Sequence, residues 1–105
     1  MTATVSASET PNTNLGGTAK YGEVEVYVSL SSALSSAATF TGTAYASENI
    51  SGTNKYSKSF SITIPAGSTS KSTTVVCNAN GTGAGFAGVG ISSCTCSNSN
   101  VTVSY

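Results

Sequence analysis

Apolar and polar residues alternate with a period of two along much of this chain, the pattern of strands that bury one face and expose the other. The clearest run is Glu23-Val24-Glu25-Val26-Tyr27-Val28-Ser29-Leu30. It predicts a strand with Val24, Val26, Val28 and Leu30 on one side and Glu23, Glu25, Tyr27 and Ser29 on the other. Residues 57–64 repeat the pattern, with Phe60, Ile62 and Ile64 inward and Ser59, Ser61 and Thr63 outward. Residues 39–47 place Phe40, Ala44 and Ala46 opposite Thr39, Thr41, Thr43 and Tyr45, and Thr2 to Ser8 is a fourth candidate.

Turn chemistry divides these runs. Pro65-Ala66-Gly67-Ser68 ends the 57–64 strand, because proline presets φ and glycine accepts a left-handed backbone. Asn80-Gly81 is a strong hairpin signal, since a type I′ turn needs positive φ at both central residues. A two-residue turn there would pair Val75 with Phe86 and Cys77 with Ala84. Asn98-Ser99 would close a last hairpin, with Cys96 opposite Val101 and Cys94 opposite Val103. Segments 9–19, 31–37 and 48–55 read as loops, and a helical turn at 31–38 would lack caps. Gly42, Gly83, Gly85, Gly88 and Gly90 point to bulges or to close backbone approach.

Seven short strands in 105 residues predict an all-β fold, specifically an immunoglobulin-like β-sandwich of about seven antiparallel strands in one domain spanning 1–105. The expected core is Val24, Val26, Val28, Leu30, Phe40, Phe60, Ile62, Ile64, Val75, Phe86 and Val103. Each contributes about 1.5 to 3 kcal/mol on burial. Backbone ordering costs a similar total, so the stability margin is narrow.

Composition narrows the function. Ser, Thr, Asn and Gly make up 55 residues, against four Lys and four Glu, with no Asp, Arg, His or Trp. Hydroxyl side chains compete with helical hydrogen bonding, and β-branched Thr suits a pleated surface, so the bias reinforces strands and turns. Net charge is zero, and Lys20, Lys55, Lys58 and Lys71 are scattered, which argues against nucleic acid as a partner. Near-neutrality also removes the repulsion that keeps monomers apart, which suits a homo-oligomer or a larger assembly. No stretch approaches the roughly 18 apolar residues of a membrane span, so no membrane partner is expected. The start, Met1 to Glu9, has no basic region followed by an apolar run, which leads to the expectation of cytoplasmic synthesis without a secretory signal.

Candidate chemistry is sparse. Cys77, Cys94 and Cys96 cannot all pair internally, and zinc would need a fourth ligand that the chain lacks. They read as small buried hydrophobes of a reduced protein, with a disulfide from Cys77 to Cys94 or Cys96 as the alternative. Glu23 and Glu25 lie on one strand face about 7 Å apart by strand geometry, a spacing that a glycosidase pair could use. Solvation, and protection of a strand edge against pairing, is the favoured reading. No enzyme activity, no catalytic residue, no metal site and no cofactor is expected. Asn49, Asn80 and Asn100 head Asn-x-Ser/Thr sequons, which a composition this rich in Asn, Ser and Thr produces by chance. Tyr21, Tyr27, Tyr45, Tyr56 and Tyr105 offer rings on which sugars could stack.

The stretch Phe60-Ser-Ile-Thr-Ile-Pro-Ala-Gly-Ser-Thr-Ser-Lys-Ser-Thr-Thr-Val-Val76 resembles the strand-turn-strand pattern of Calx-beta-like and other immunoglobulin-like modules of bacterial surface proteins and phage structural proteins. The resemblance covers about a sixth of the chain. Calcium does not carry over, because no acidic cluster lies near that turn. With its own Met1 and no export signal, the chain looks most like an auxiliary or decoration protein of a tailed-phage head. The resemblance implies a virion protein assembled in the host cytoplasm. Its partners would be the major capsid protein or other virion proteins, and its loops could touch host-surface glycans. Residues 1–15, polar and poor in core positions, are the expected docking arm. The alternative is a surface-adhesion or carbohydrate-binding module of an exported bacterial protein at the cell surface.

Overall fold

The computed structural model describes residues 1–10, 23–48, 55–77 and 86–105, and it is all-β, with two sheets facing each other. The strands are β1 (Thr2–Glu9), β2 (Glu23–Leu30), β3 (Ala38–Glu48), β4 (Lys55–Ile64), β5 (Ser70–Val76), β6 (Phe86–Cys96) and β7 (Thr102–Ser104). One sheet has the order β5-β2-β1-β7 and the other β4-β3-β6. All pairings are antiparallel except β1 with β7, which makes the first sheet mixed.

The period-two faces meet between the sheets. Val24, Val26, Val28 and Leu30 of β2 are buried together with Phe40, Ala44 and Ala46 of β3 and Phe60, Ile62 and Ile64 of β4. Ala3, Val5, Ala38, Cys94 and Val101 complete this core. Val75 and Val103, expected inside, pack against it half-buried, because both lie on strands at the sheet edges. The side chain of Phe86 lies outside the described residues.

Pro65–Ser68 forms the expected turn. The Ser68 amide donates to the Pro65 carbonyl at 3.1 Å, and Gly67 has φ of 85°, the third-position geometry of a type II turn. The Gly67 amide also donates to the Leu34 carbonyl at 3.0 Å, tying the turn to the irregular segment 31–37. That segment contains no helical turn.

Two expected hairpins are corrected. Val75 pairs with Val24 of β2 rather than with Phe86, and Phe86 pairs with Glu48 of β3, so β5 and β6 lie in different sheets. Residues 78–85, which include Asn80-Gly81 and Ala84, lie outside the described residues. Cys96 and Cys94 pair with Phe40 and Gly42, while Val103 pairs in parallel with Ala3. The turn itself is present at Asn98, whose carbonyl accepts from the Val101 amide at 3.1 Å and whose Oδ1 accepts from the Asn100 amide at 2.9 Å. The physical reason is the same in both cases. Turn residues report only that the chain reverses, whereas β2 and β3 each gain a second ladder when β5 and β6 cross to them.

The docking arm expected over 1–15 begins in a strand. Thr2–Glu9 pairs with β2 over Ala3–Glu9 and with β7 over Thr2–Thr4, and Ala3 and Val5 are buried. Small inward residues at every second position suffice here, because a full strand ladder flanks them. Residues 11–15 lie outside the described residues.

A bulge sets the inward face of β6. Ser93 opposes Thr43 and Ile91 opposes Ala44, which leaves Ser92 as the extra residue, its hydroxyl donating to the Thr43 carbonyl at 3.2 Å. The bulge shifts parity by one, so Val89 and Ile91 face the same side as Cys94 and Cys96. Beside it, Gly42 has no room for a side chain: a Cβ would lie 2.8 Å from the Phe60 ring and 2.9 Å from the Cys94 Cα, and would collide with the Ser93 carbonyl. At Gly90 the obstacle is only the outer end of the Tyr45 ring, which lies across it.

These contacts order two substitutions. Gly42→Ala is expected to lower unfolding stability by about 1 to 3 kcal/mol through overpacking against backbone, and Gly90→Ala by clearly less, because the Tyr45 side chain can swing away. Urea unfolding of the two variants beside the parent checks the order, and equal losses would contradict the packing described at Gly42.

Candidate interaction surface

Among the described residues, the side chains with chemistry do not converge. Glu23 accepts from the Thr10 hydroxyl at 2.7 Å, and the exposed Glu25 accepts from Ser8 at 3.4 Å. Both carboxylates face outward from β2, each with hydroxyl donors from the first ten residues. The edge-protection role assigned to them is corrected, because β2 is an interior strand with β5 on one side and β1 on the other.

Edge protection falls to lysines instead. Lys58 of edge strand β4 opposes Ala44 and Lys71 of edge strand β5 opposes Val28, so both sit at inward-facing positions. Both are nonetheless exposed, their stems leaving the core side while the ammonium groups reach water. Lys71 Nζ donates to the Thr63 carbonyl at 3.2 Å, crossing from one sheet to the other. An inward-pointing charge on an edge strand discourages pairing with a further chain, since that pairing would dehydrate the charge.

The three cysteines are free thiols. Cys94 is buried, and Cys77 and Cys96 are half-buried against the core. The Cys77 Sγ lies 3.7 Å from the Ala44 carbonyl, and the Asn98 amide donates to the Cys96 Sγ at 3.5 Å. Burial pushes the Cys77 thiol above its ordinary 9.0, against a smaller opposing pull from Lys58. Burial also raises Cys94, with the neighbouring Cys96 adding to the effect. Among the described residues, no cluster of three or more His, Cys, Asp or Glu side chains could hold a metal ion, and no pocket is formed.

What the sheets present outward is hydroxyl. On the β4-β3-β6 sheet, Thr63, Thr39 and Ser97 form one row across the strands, Ser61, Thr41 and Thr95 a second, and Ser59, Thr43 and Ser93 a third. Thr39 and Thr63 share a hydrogen bond of 3.0 Å between their hydroxyls. No charge lies in these rows. The other outer face carries Thr4, Ser6, Ser8, Ser29, Ser70, Ser72, Thr74 and Ser104 around Tyr27, Glu23 and Glu25.

The tyrosines do not form one platform. Tyr27 (43% exposed) lies on one outer face, Tyr45 on the other, Tyr56 packs against the core, and Tyr105 (61% exposed) ends the chain. Tyr21 and the sequon residues Asn49 and Asn80 lie outside the described residues, and Asn100 sits in the turn after β6. The hydroxyl rows were visible in the sequence as the polar half of each alternation. Their alignment across strands needed the register. No helix among the described residues is long and apolar enough to cross a membrane. No protein-family model, curated protein or solved structure matches the chain.

Two outcomes follow from this surface. Replacing Lys58 and Lys71 together by Thr is expected to promote edge-to-edge association, read as rising light scattering with time, while unchanged scattering would remove the guarding role. The thiols give a pH dependence of defined sign: with folded pKa values raised, stability is intact below about 9 and falls as pH rises toward the folded values, because only the unfolded chain ionises there. Denaturation midpoints between pH 8 and 10.5 should fall less steeply in a Cys77→Ala, Cys94→Ala variant than in the parent, and parallel slopes would contradict the assignment.

Proposed function

We propose that this chain is a non-enzymatic structural protein that works by adhesion, an auxiliary or decoration protein on the outside of a phage capsid. The observation that carries the reading is the pair of hydroxyl-covered outer faces over a continuous apolar core, with the described carboxylates and thiols dispersed rather than gathered. Apart from the two carboxylates of β2, such faces offer many weak, uncharged contacts. Repetition on a lattice multiplies such contacts through effective concentration.

An immunoglobulin-like topology is part of this proposal. It is supported by the pairing of the second strand with the fifth in one sheet and the third with the sixth in the other, as in sandwiches of that class. The chain departs from the pattern in two ways. In the strand order, β4 lies beside β3 instead of beside β5 and β7 runs parallel to β1 instead of joining β6; in composition, there is no Trp and no disulfide between the sheets.

In this role the slab docks on capsid subunits through an outer face or an edge and cements neighbours together, with no bond made or broken. Interior placement of β1 favours a face or edge over a free N-terminal arm. The alternative, a surface-adhesion or carbohydrate-binding module of an exported bacterial protein, is favoured by the exposed Tyr27 among hydroxyls, a ring with an apolar face and a polar tip.

Mass spectrometry of purified virions from the source of this sequence is expected to find the chain in many copies per particle, and purified protein is expected to co-sediment with capsids stripped of it. Absence from the particles together with failure to co-sediment would overturn the decoration reading. Retention of neutral oligosaccharides on a glycan array, lost in Tyr27→Ala, would establish the alternative.

A further inference from the structure

Tyr45 and Gly90 oppose each other directly on the outer face of the β4-β3-β6 sheet. A Cβ added at Gly90 would fall 2.5 Å from the Tyr45 Cζ and 2.8 Å from its Cε2, and would collide with its hydroxyl oxygen, so the ring lies across the glycine backbone instead of standing up from the strand. Two features of β6 make this seat. The extra residue at Ser92 shifts the register so that Gly90 faces Tyr45, where an unbulged ladder would bring Ile91. Glycine then removes the side chain that would hold the ring off. The second register shift, between Ser47 and Glu48, lies beyond the pair and leaves it in place.

The ring stands at one end of a track. β3 and β4 pair without a break from Ala38 to Ser47, and from Tyr45 the three hydroxyl rows follow in order, ending at Thr39. Six residues of one strand separate Tyr45 from Thr39, about 20 Å at the rise of a β-strand. No charged residue occupies an outward position between them, and Lys55, paired with Ser47, bounds the track one row beyond Tyr45.

We infer that this face binds an uncharged polysaccharide chain, with the Tyr45 ring as its stacking platform and the hydroxyl rows as its hydrogen-bonding track. A pyranose unit has an apolar face of C–H groups and a rim of hydroxyls. The first matches a tyrosine ring laid along the sheet, and the second matches Ser and Thr, whose hydroxyls both donate and accept. Thr39 and Thr63, which share a hydrogen bond, each keep capacity for another. An acidic polymer would meet no cation in the rows to offset the drying of its carboxylates. Among the described residues no pocket is formed, so the ligand that fits is a chain lying along the face, held by repeated weak contacts, and not a single enclosed sugar. The inference goes beyond the capsid reading, which needs no sugar, and it sets the site on the face opposite to Tyr27.

Native affinity electrophoresis of the full chain tests it, in gels carrying a neutral glucan, mannan or galactan or the acidic polygalacturonate, with circular dichroism confirming that each variant keeps its strand signal. The parent is expected to be retarded by at least one neutral polymer and to run unretarded in polygalacturonate. Tyr45→Phe keeps the ring and is expected to keep the retardation, which Tyr45→Ala loses. Gly90→Ala retains the tyrosine but displaces it from its seat, and its retardation is expected to drop to the level of Tyr45→Ala. Tyr27→Ala is expected to run as the parent does. A parent retarded by none of the neutral polymers, retardation by polygalacturonate as strong as by any of them, a Gly90→Ala protein retarded like the parent, or loss in Tyr27→Ala with retention in Tyr45→Ala would each overturn the assignment.

Discussion

Everything in this structure depends on two inner faces lying close enough to interlock with small and medium side chains. The layer has few bulky members: Phe40 and Ile64 are the largest fully buried side chains, followed by the valines of β2. Alanines fill much of the rest. Within the β4-β3-β6 sheet, Gly42 makes room for its neighbours, the Phe60 ring and the Cys94 backbone of the two flanking strands occupying the space of a side chain. The bulge at Ser92 serves the inner layer, since without its shift of parity Val89 and Ile91 would point to water while Cys94 and Cys96 pointed inward.

Strand positions and their buried faces were legible in the sequence because alternation is a local property. β2 and β4 show this directly, each buried residue being one that the period marks. Sheet membership was not legible. Asn98 does make a turn, yet the strand after it leaves for the other sheet and runs parallel to β1, a choice made by distant partners. The expectation of an arm at 1–15 has a related origin. Its inward residues, Ala3, Val5 and Ala7, are small, and only the ladders with β2 and, over Thr2–Thr4, with β7 bring Ala3 and Val5 into the core and Ala7 against it. The guarding lysines were hidden too, because a lysine at an inward position is recognisable only once its strand is known to lie at an edge.

The surface follows from the same alternation read on its other side. A chain with four Lys and four Glu cannot cover its sheets with charge, so it covers them with hydroxyls, whose register across β4, β3 and β6 turns a composition bias into ordered rows. Charge is then concentrated in its effect: Lys58 and Lys71 stand at edges, and the two strand carboxylates on β2 are held by hydroxyl donors from Ser8 and Thr10. The proposed adhesive role rests physically on these hydroxyl-covered faces, one of them free of charge in its rows, and on the lysines that stand at two edges.

The account stands or falls with β1 as an interior strand joining both ladders of its sheet, and amide hydrogen exchange on the intact chain measures this most directly. Slow exchange across Thr2–Glu9, comparable to β2 and β3 and slower than β5 and β7, is the result expected if the two-layer core is closed as described. Rapid exchange across Thr2–Glu9, with β2 exchanging as an edge strand does, would contradict it.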